Sequence, residues 1–186
     1  VIHAIHVKEG DEVKLGQLLV TLEKERASAA VDDSKSKVAA LRASIVRLEA
    51  ELFNRPLSFS ADLQVYPEYI SNQRQLFMRR QTALQEEVSS LQNILRIAEQ
   101  ELSINEKLIP TGDVSKAEVL RLQKGVADIR AQISIRRNKY FQETQADLTK
   151  AQEELSTFQE QLRDRLQVLE HTELLAPSNG VINNIR

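Results

Sequence analysis

The chain of 186 residues has no cysteine, no tryptophan and a single methionine, and it contains only five glycines and four prolines. Without cysteine, a disulfide scaffold, a cysteine-based zinc site and thiol catalysis are excluded, and the absence is compatible with an exported location. Aromatic residues make up 4% while apolar residues make up 41%, a balance that suits long interlocking helices better than a thick globular core. Charge of one sign is missing too: 25 basic residues face 27 acidic ones, for a net charge of −2. That parity argues against electrostatic nucleic-acid binding. No stretch approaches the roughly 18 consecutive apolar residues of a membrane span. The start shows neither an initiator Met nor the charged and apolar regions of a signal peptide, so the chain is expected to be a soluble piece of a longer protein.

The helix breakers are clustered. Gly10 and Gly16 lie near the start, Pro56 and Pro67 bracket one break, Pro110 and Gly112 mark another, and Pro177 and Gly180 the end; only Gly125 falls within a helical pattern. The stretches 17–55, 68–109 and 126–176 carry no breaker and are far longer than a mean helix. Each shows the alternating spacing of four and three that defines a heptad seam. The first seam runs through Ala27, Val31, Ser34, Val38, Leu41, Ile45, Leu48 and Leu52, and the second through Leu84, Val88, Leu91, Leu95, Ala98, Leu102, Asn105 and Ile109. The third runs from Val119 to Ile133 and resumes, one residue out of phase, at Phe141, Thr144, Leu148 and onward through Arg165 to Leu169. A skip near Tyr140 would relax the supercoil there. Asn105, a polar seam member, reads either as a register device or as a binding residue.

These patterns predict a mainly α fold with helices over 24–53, 67–107 and 115–170. Pro67 suits the first turn of a helix. The turn 108–114, Leu-Ile-Pro-Thr-Gly-Asp-Val, is short enough to make the second and third helices antiparallel neighbours. Ser115 and Glu118 form a capping-box pattern, with the hydroxyl accepting from the third helical N–H and the carboxylate reaching back to the Ser115 amide. Length arithmetic adds that the first helix is too long to be laid end to end with the second. Its residues Ile45, Leu48 and Leu52 are therefore expected beside the start of the second helix, near Ile70 and Phe77, and against the third near Leu148 and Leu155.

Both ends of the chain differ in texture from this helical middle. Residues 1–23 are short runs of Val, Ile and Leu separated by glycine turns, and residues 171–186 repeat the pattern. Neither end can bury a core alone. A helical excursion that returns on itself would bring them together as one split β module.

The segment Ile5-His-Val-Lys-Glu-Gly-Asp-Glu-Val-Lys-Leu-Gly-Gln-Leu-Leu-Val-Thr-Leu resembles the first half of a biotinyl/lipoyl domain. Thr172-Glu-Leu-Leu-Ala-Pro-Ser-Asn-Gly-Val-Ile resembles the start of its second half. A lipoyl-like module split by a helical hairpin is similar to the periplasmic adaptor, or membrane fusion protein, family. The broken first arm at Asn54–Tyr66 looks most like the type I secretion adaptors of the haemolysin secretion protein D kind. Drug-efflux adaptors of the same family, and a purely structural coiled coil, are the alternatives. The resemblance implies a periplasmic portion of an inner-membrane-anchored protein in a Gram-negative bacterium. It further implies an inner-membrane ABC transporter and a TolC-like outer-membrane channel as partners, and self-association as a hexamer. The family's tip pattern of Arg, Leu and Ser is matched at Leu108 and Ser115, whereas Ile104 stands where the Arg would be.

The resemblance also raises the question of a swinging-arm cofactor. The modified lysine of lipoyl domains aligns with Arg26, whose guanidinium cannot be acylated in that way, and Lys24 lies two residues off, so no cofactor is expected. His3 and His6 alternate on a strand and His171 is remote, so no metal site is expected. No nucleophile elbow, phosphate loop or zinc-binding His-Glu pattern occurs, and adjacent carboxylates such as Glu86 and Glu87 or Glu153 and Glu154 read as helix solvation. The chain is therefore not expected to be an enzyme. The expected partner-binding surface is the turn itself: Leu108, Ile109, Pro110, Gly112, Asp113, Val114, Ser115 and Lys116. Three aliphatic residues there have no core to cover them. In the opposing reading Val114 staples the third helix locally while Leu108 and Ile109 close the second.

Overall fold

In the computed structural model, which describes residues 2–183, the chain divides into two compact units. One is formed by Val1–Arg42 with Ala151–Arg186, the other by Ala43–Lys150. The elements run β1 (Ile2–Ile5), β2 (Glu12–Val13), β3 (Leu18–Leu22), α1 (Lys24–Leu52), a 3-10 helix (Ala61–Val65), α2 (Pro67–Leu108), α3 (Lys116–Glu170), β4 (Glu173–Leu175) and β5 (Gly180–Val181). Among the described residues no helix is long and apolar enough to cross a membrane.

In the first unit the two chain ends build one β module. β3 lies between β1 and β4 in an antiparallel sheet, and β2 pairs with β5 in a second ladder. Thr21 stands opposite Glu173 and Glu12 opposite Val181, so neither ladder can close without both ends of the chain. Two similar turns aim these strands. In Lys8-Glu9-Gly10-Asp11 and Lys14-Leu15-Gly16-Gln17 the third residue is a glycine at φ 91° and 78° respectively, a conformation that side chains resist. In each, the fourth residue's side chain accepts from the first residue's N–H, at 2.8 Å for Asp11 and 3.0 Å for Gln17. The core beneath is small: Val7, Val13 and Ala176, with Leu19 and Ile182 packed against it. Residues 184–186 of the expected second β segment lie outside the described residues.

The helical part of this unit pairs α1 with α3 in antiparallel sense, since Arg165 reaches Ala30 while Lys37 sits over the ring of Phe158. Val31 and Ser34 are fully buried. Arg165, a seam residue by spacing, donates from Nη1 to the Ala30 carbonyl at 2.8 Å and to Ser34 Oγ at 2.6 Å, with Asp33 at 3.2 Å. Its stem packs while its head finds oxygens, which is how a long cationic chain occupies a seam.

In the second unit α2 and α3 run antiparallel, because partners ascend on one helix as they descend on the other. Glu106 meets Gln123, Glu99 meets Arg130, and Glu87 meets Arg136. Val88, Val119, Val126 and Ile133 are buried along this pairing. Two expectations need correction. Phe141 is 43% exposed while Tyr140 is buried, so the seam passes through Tyr140, and the one-residue phase shift falls just after it. Arg136 is half-buried and Tyr140, Thr144 and Leu148 are buried, so the steps after Ile133 read three, four, four, four. That is a stutter, an extra four-residue step that straightens the local supercoil. Asn105 spends its amide on the Glu101 carbonyl of its own helix at 2.8 Å, which is no cross-helix register contact.

The last turns of α1 lie against both other helices in this unit. Arg47 bonds Gln73 of α2, and Tyr140 of α3 bonds Glu51. Leu48, Leu63, Ile70 and Leu148 are buried. α1 ends with Asn54 in the left-handed region at φ 50° and the Arg55 N–H on the Ala50 carbonyl at 3.0 Å. This is the Schellman closure, and Pro56 follows it. The break is not slack, for Phe59 and Leu63 are buried within it.

Candidate functional site at the helical turn

The turn joining α2 to α3 is built from backbone requirements. Ile109 is still helical at φ −59° and ψ −45°. The Gly112 N–H donates to the Ile109 carbonyl at 3.1 Å, and Gly112 sits at φ 79°. The space around Gly112 is open, so the glycine answers to backbone conformation rather than to crowding. The hydroxyl of Thr111 is 2.8 Å from the Leu108 carbonyl and 2.6 Å from Asp113 Oδ2; with one proton it serves one acceptor at a time.

Ser115 caps α3, its Oγ accepting from the Glu118 N–H at 3.2 Å. The reciprocal half of the expected capping box is replaced. Glu118 turns its carboxylate away from the cap's own amide and toward Arg121, three residues further along the same helix. That bond holds the Glu118 carboxyl below the usual carboxylate range and raises Arg121 correspondingly. A charged guanidinium with two aligned donors outcompetes a single amide N–H.

Of the expected surface residues, Pro110, Gly112, Asp113, Ser115 and Lys116 are exposed, together with Thr111. Leu108, Ile109 and Val114 are half-buried rather than fully displayed. The exposed aliphatic residues nearest the turn are instead Ile104 on α2, 60% exposed, and Leu120 on α3, 64% exposed. Spacing carried the signal for both, since each lies off its heptad seam close to a helix end. The site has polar and aliphatic character. Among the described residues no cluster of His, Asp or Glu could hold a metal ion.

No protein-family profile matches the chain. Across its full length it is 25% identical to the alkaline protease secretion protein AprE of Pseudomonas aeruginosa, and it spans about half, 54%, of that relative. Its fold is that of the soluble domain of LipC, a membrane fusion protein of a type I secretion system. The TM-score is 0.66 at 24% identity, covering 97% of this chain and 86% of that one. The periplasmic adaptor protein EmrA aligns with a TM-score of 0.47 at 18% identity, over 97% of this chain and 61% of its own. Along its whole length the chain resembles the periplasmic adaptor, or membrane fusion protein, family of the haemolysin secretion protein D kind.

Proposed function

We propose that the chain is the periplasmic portion of an inner-membrane-anchored adaptor for type I protein secretion. In this reading it bridges an ABC transporter to a TolC-like outer-membrane channel, as one of six copies, and the α2–α3 turn engages the channel. It acts by binding and positioning, and no step is enzymatic. The observation that carries the reading is the β module made from both chain ends, with α1, α2 and α3 inserted between β3 and β4. That architecture matches a membrane fusion protein of a type I system, and the sequence relative is a protease secretion protein. An exposed turn flanked by Ile104 and Leu120 supports the turn as the docking end, because such residues gain most from being covered.

The test uses the full-length protein in its own host. A photo-crosslinking residue at Thr111 is expected to capture an outer-membrane channel protein during secretion. Ile104→Glu with Leu120→Glu is expected to reduce secretion at least tenfold while circular dichroism stays unchanged. These exposed positions are better probes than Leu108 and Val114, whose substitution would also loosen the helix ends. Undiminished secretion from the double variant would remove the turn from the proposal.

A further inference from the structure

Where α1 ends beside α2 and α3, the seam is interrupted by a cluster of buried polar groups. Glu51 is at its centre, with 1% of its side chain exposed. Arg47 Nη1 approaches Glu51 Oε1 at 2.5 Å, and the Tyr140 hydroxyl donates to Oε2 at 3.1 Å. Arg80 Nε stands 3.0 Å from the same Oε2, near enough for an ion pair though misaligned for a hydrogen bond. Arg80 also donates to Thr144 at 3.3 Å, lies over the Tyr140 ring and has Asp147 at 3.6 Å, while Arg47 holds Gln73 at 2.6 Å. All three helices contribute, at the level of the α3 stutter.

We infer that this cluster is a register lock, fixing the axial position at which the end of α1 seats on α2 and α3. The apolar seam by itself leaves that position open, and the other restraints, the β3–β4 pairing and the Arg165 bonds to Ala30 and Ser34, act at the opposite end of α1. Sliding α1 by one heptad lays Val31 on the place of Val38, Leu41 on that of Leu48 and Ile45 on that of Leu52, so the apolar pattern nearly repeats itself. The cluster does not repeat. In that slide Ala40 and Ser44 take the places of Arg47 and Glu51, and in the opposite slide Asn54 and Ser58 do, from beyond the helix end. Either way Arg80 is left half-buried without the Glu51 carboxylate, and Tyr140 loses its acceptor. Losing one partner of a buried charged set is far costlier than never burying it, and polar seam residues specify register for this reason. The small wedge of charge thus selects one of several apolar alignments.

The test exploits the absence of cysteine. Spin labels on cysteines at the exposed positions of Glu49 on α1 and Gln132 on α3 report the axial setting by electron–electron distance measurement. The parent chain is expected to give a single distance. Replacing the cluster with apolar residues, Arg47→Leu with Glu51→Leu and Arg80→Met, is expected to keep helicity and melting temperature but add a second distance. That distance should be displaced by up to about 10 Å, one heptad of rise. A single unchanged distance in this folded variant would overturn the lock. Should it lose helicity, Glu51→Gln with Arg80→Gln, which removes the charges but keeps both positions polar, is read in the same way: a second distance upholds the lock and the single parent distance overturns it.

Discussion

Tyr140 is the residue where packing and titration meet. Burial raises its phenol above the usual tyrosine value, and the nearby negative charge of Glu51 pushes in the same direction. A group bound more tightly to its proton in the folded chain contributes stability that is complete below the unfolded pKa, about 10 for tyrosine. The contribution is lost as pH rises through the folded value. The melting temperature is therefore expected to fall above about pH 10, and Tyr140→Phe to flatten that fall while costing about 1 kcal/mol at neutral pH through the lost hydrogen bond. Thermal melts between pH 7 and 11 check both; an equally steep alkaline fall in the variant would assign it elsewhere. Spacing located the phase shift near Tyr140 but pointed to Phe141, because a heptad count across a shift cannot tell which of two neighbours turns inward. The choice between adjacent aromatics is made by which one finds Glu51 and Arg80 opposite it.

At the scale of elements, boundaries follow single residues with special backbones. Pro67 opens α2 at its first turn, where a missing N–H costs nothing, and the preceding Tyr66 makes no side-chain cap. Asn54 closes α1 in the left-handed region. Asn54→Gly is expected to be neutral or slightly stabilising, whereas Asn54→Val should cost about 1–2 kcal/mol because a β-branched chain clashes there. Urea unfolding of the pair measures the difference; equal stability would show that the cap relaxes instead of straining. The proline and the heptad seams were legible from the amino acids. The cap was not, since an asparagine followed by Arg-Pro is compatible with several turns until the Arg55 amide meets the Ala50 carbonyl. The half-made capping box has the same origin: Ser115 and Glu118 have the right spacing, but Arg121 one turn on competes for the carboxylate. At the candidate site the turn itself was readable from Pro110 and Gly112, while the degree to which Leu108, Ile109 and Val114 fold inward was not.

For the whole molecule the decisive feature is that the β module depends on residues from both ends of the chain. Thr21→Cys with Glu173→Cys, opposite each other on β3 and β4, is expected to form an intramolecular disulfide in this cysteine-free chain. Closing so long a loop should add up to about 5 kcal/mol against unfolding, by the chain-entropy estimate. Non-reducing electrophoresis and denaturant melts with and without reductant check this; only intermolecular cross-links would contradict the split module. Composition and periodicity by themselves determined the mainly helical class, the three long helices with their seams, the glycine turns of the β ends and the lack of thiol chemistry. Each depends on local spacing or on which residue types are present. Only the tertiary structure decided that Tyr140 belongs to the seam, that Ile104 and Leu120 stand exposed beside the turn, and that Arg47, Glu51, Arg80 and Tyr140 come together. Those facts depend on which helix faces which, and at what axial offset. A repeating seam is nearly indifferent to that offset, and partners far apart in sequence make the choice.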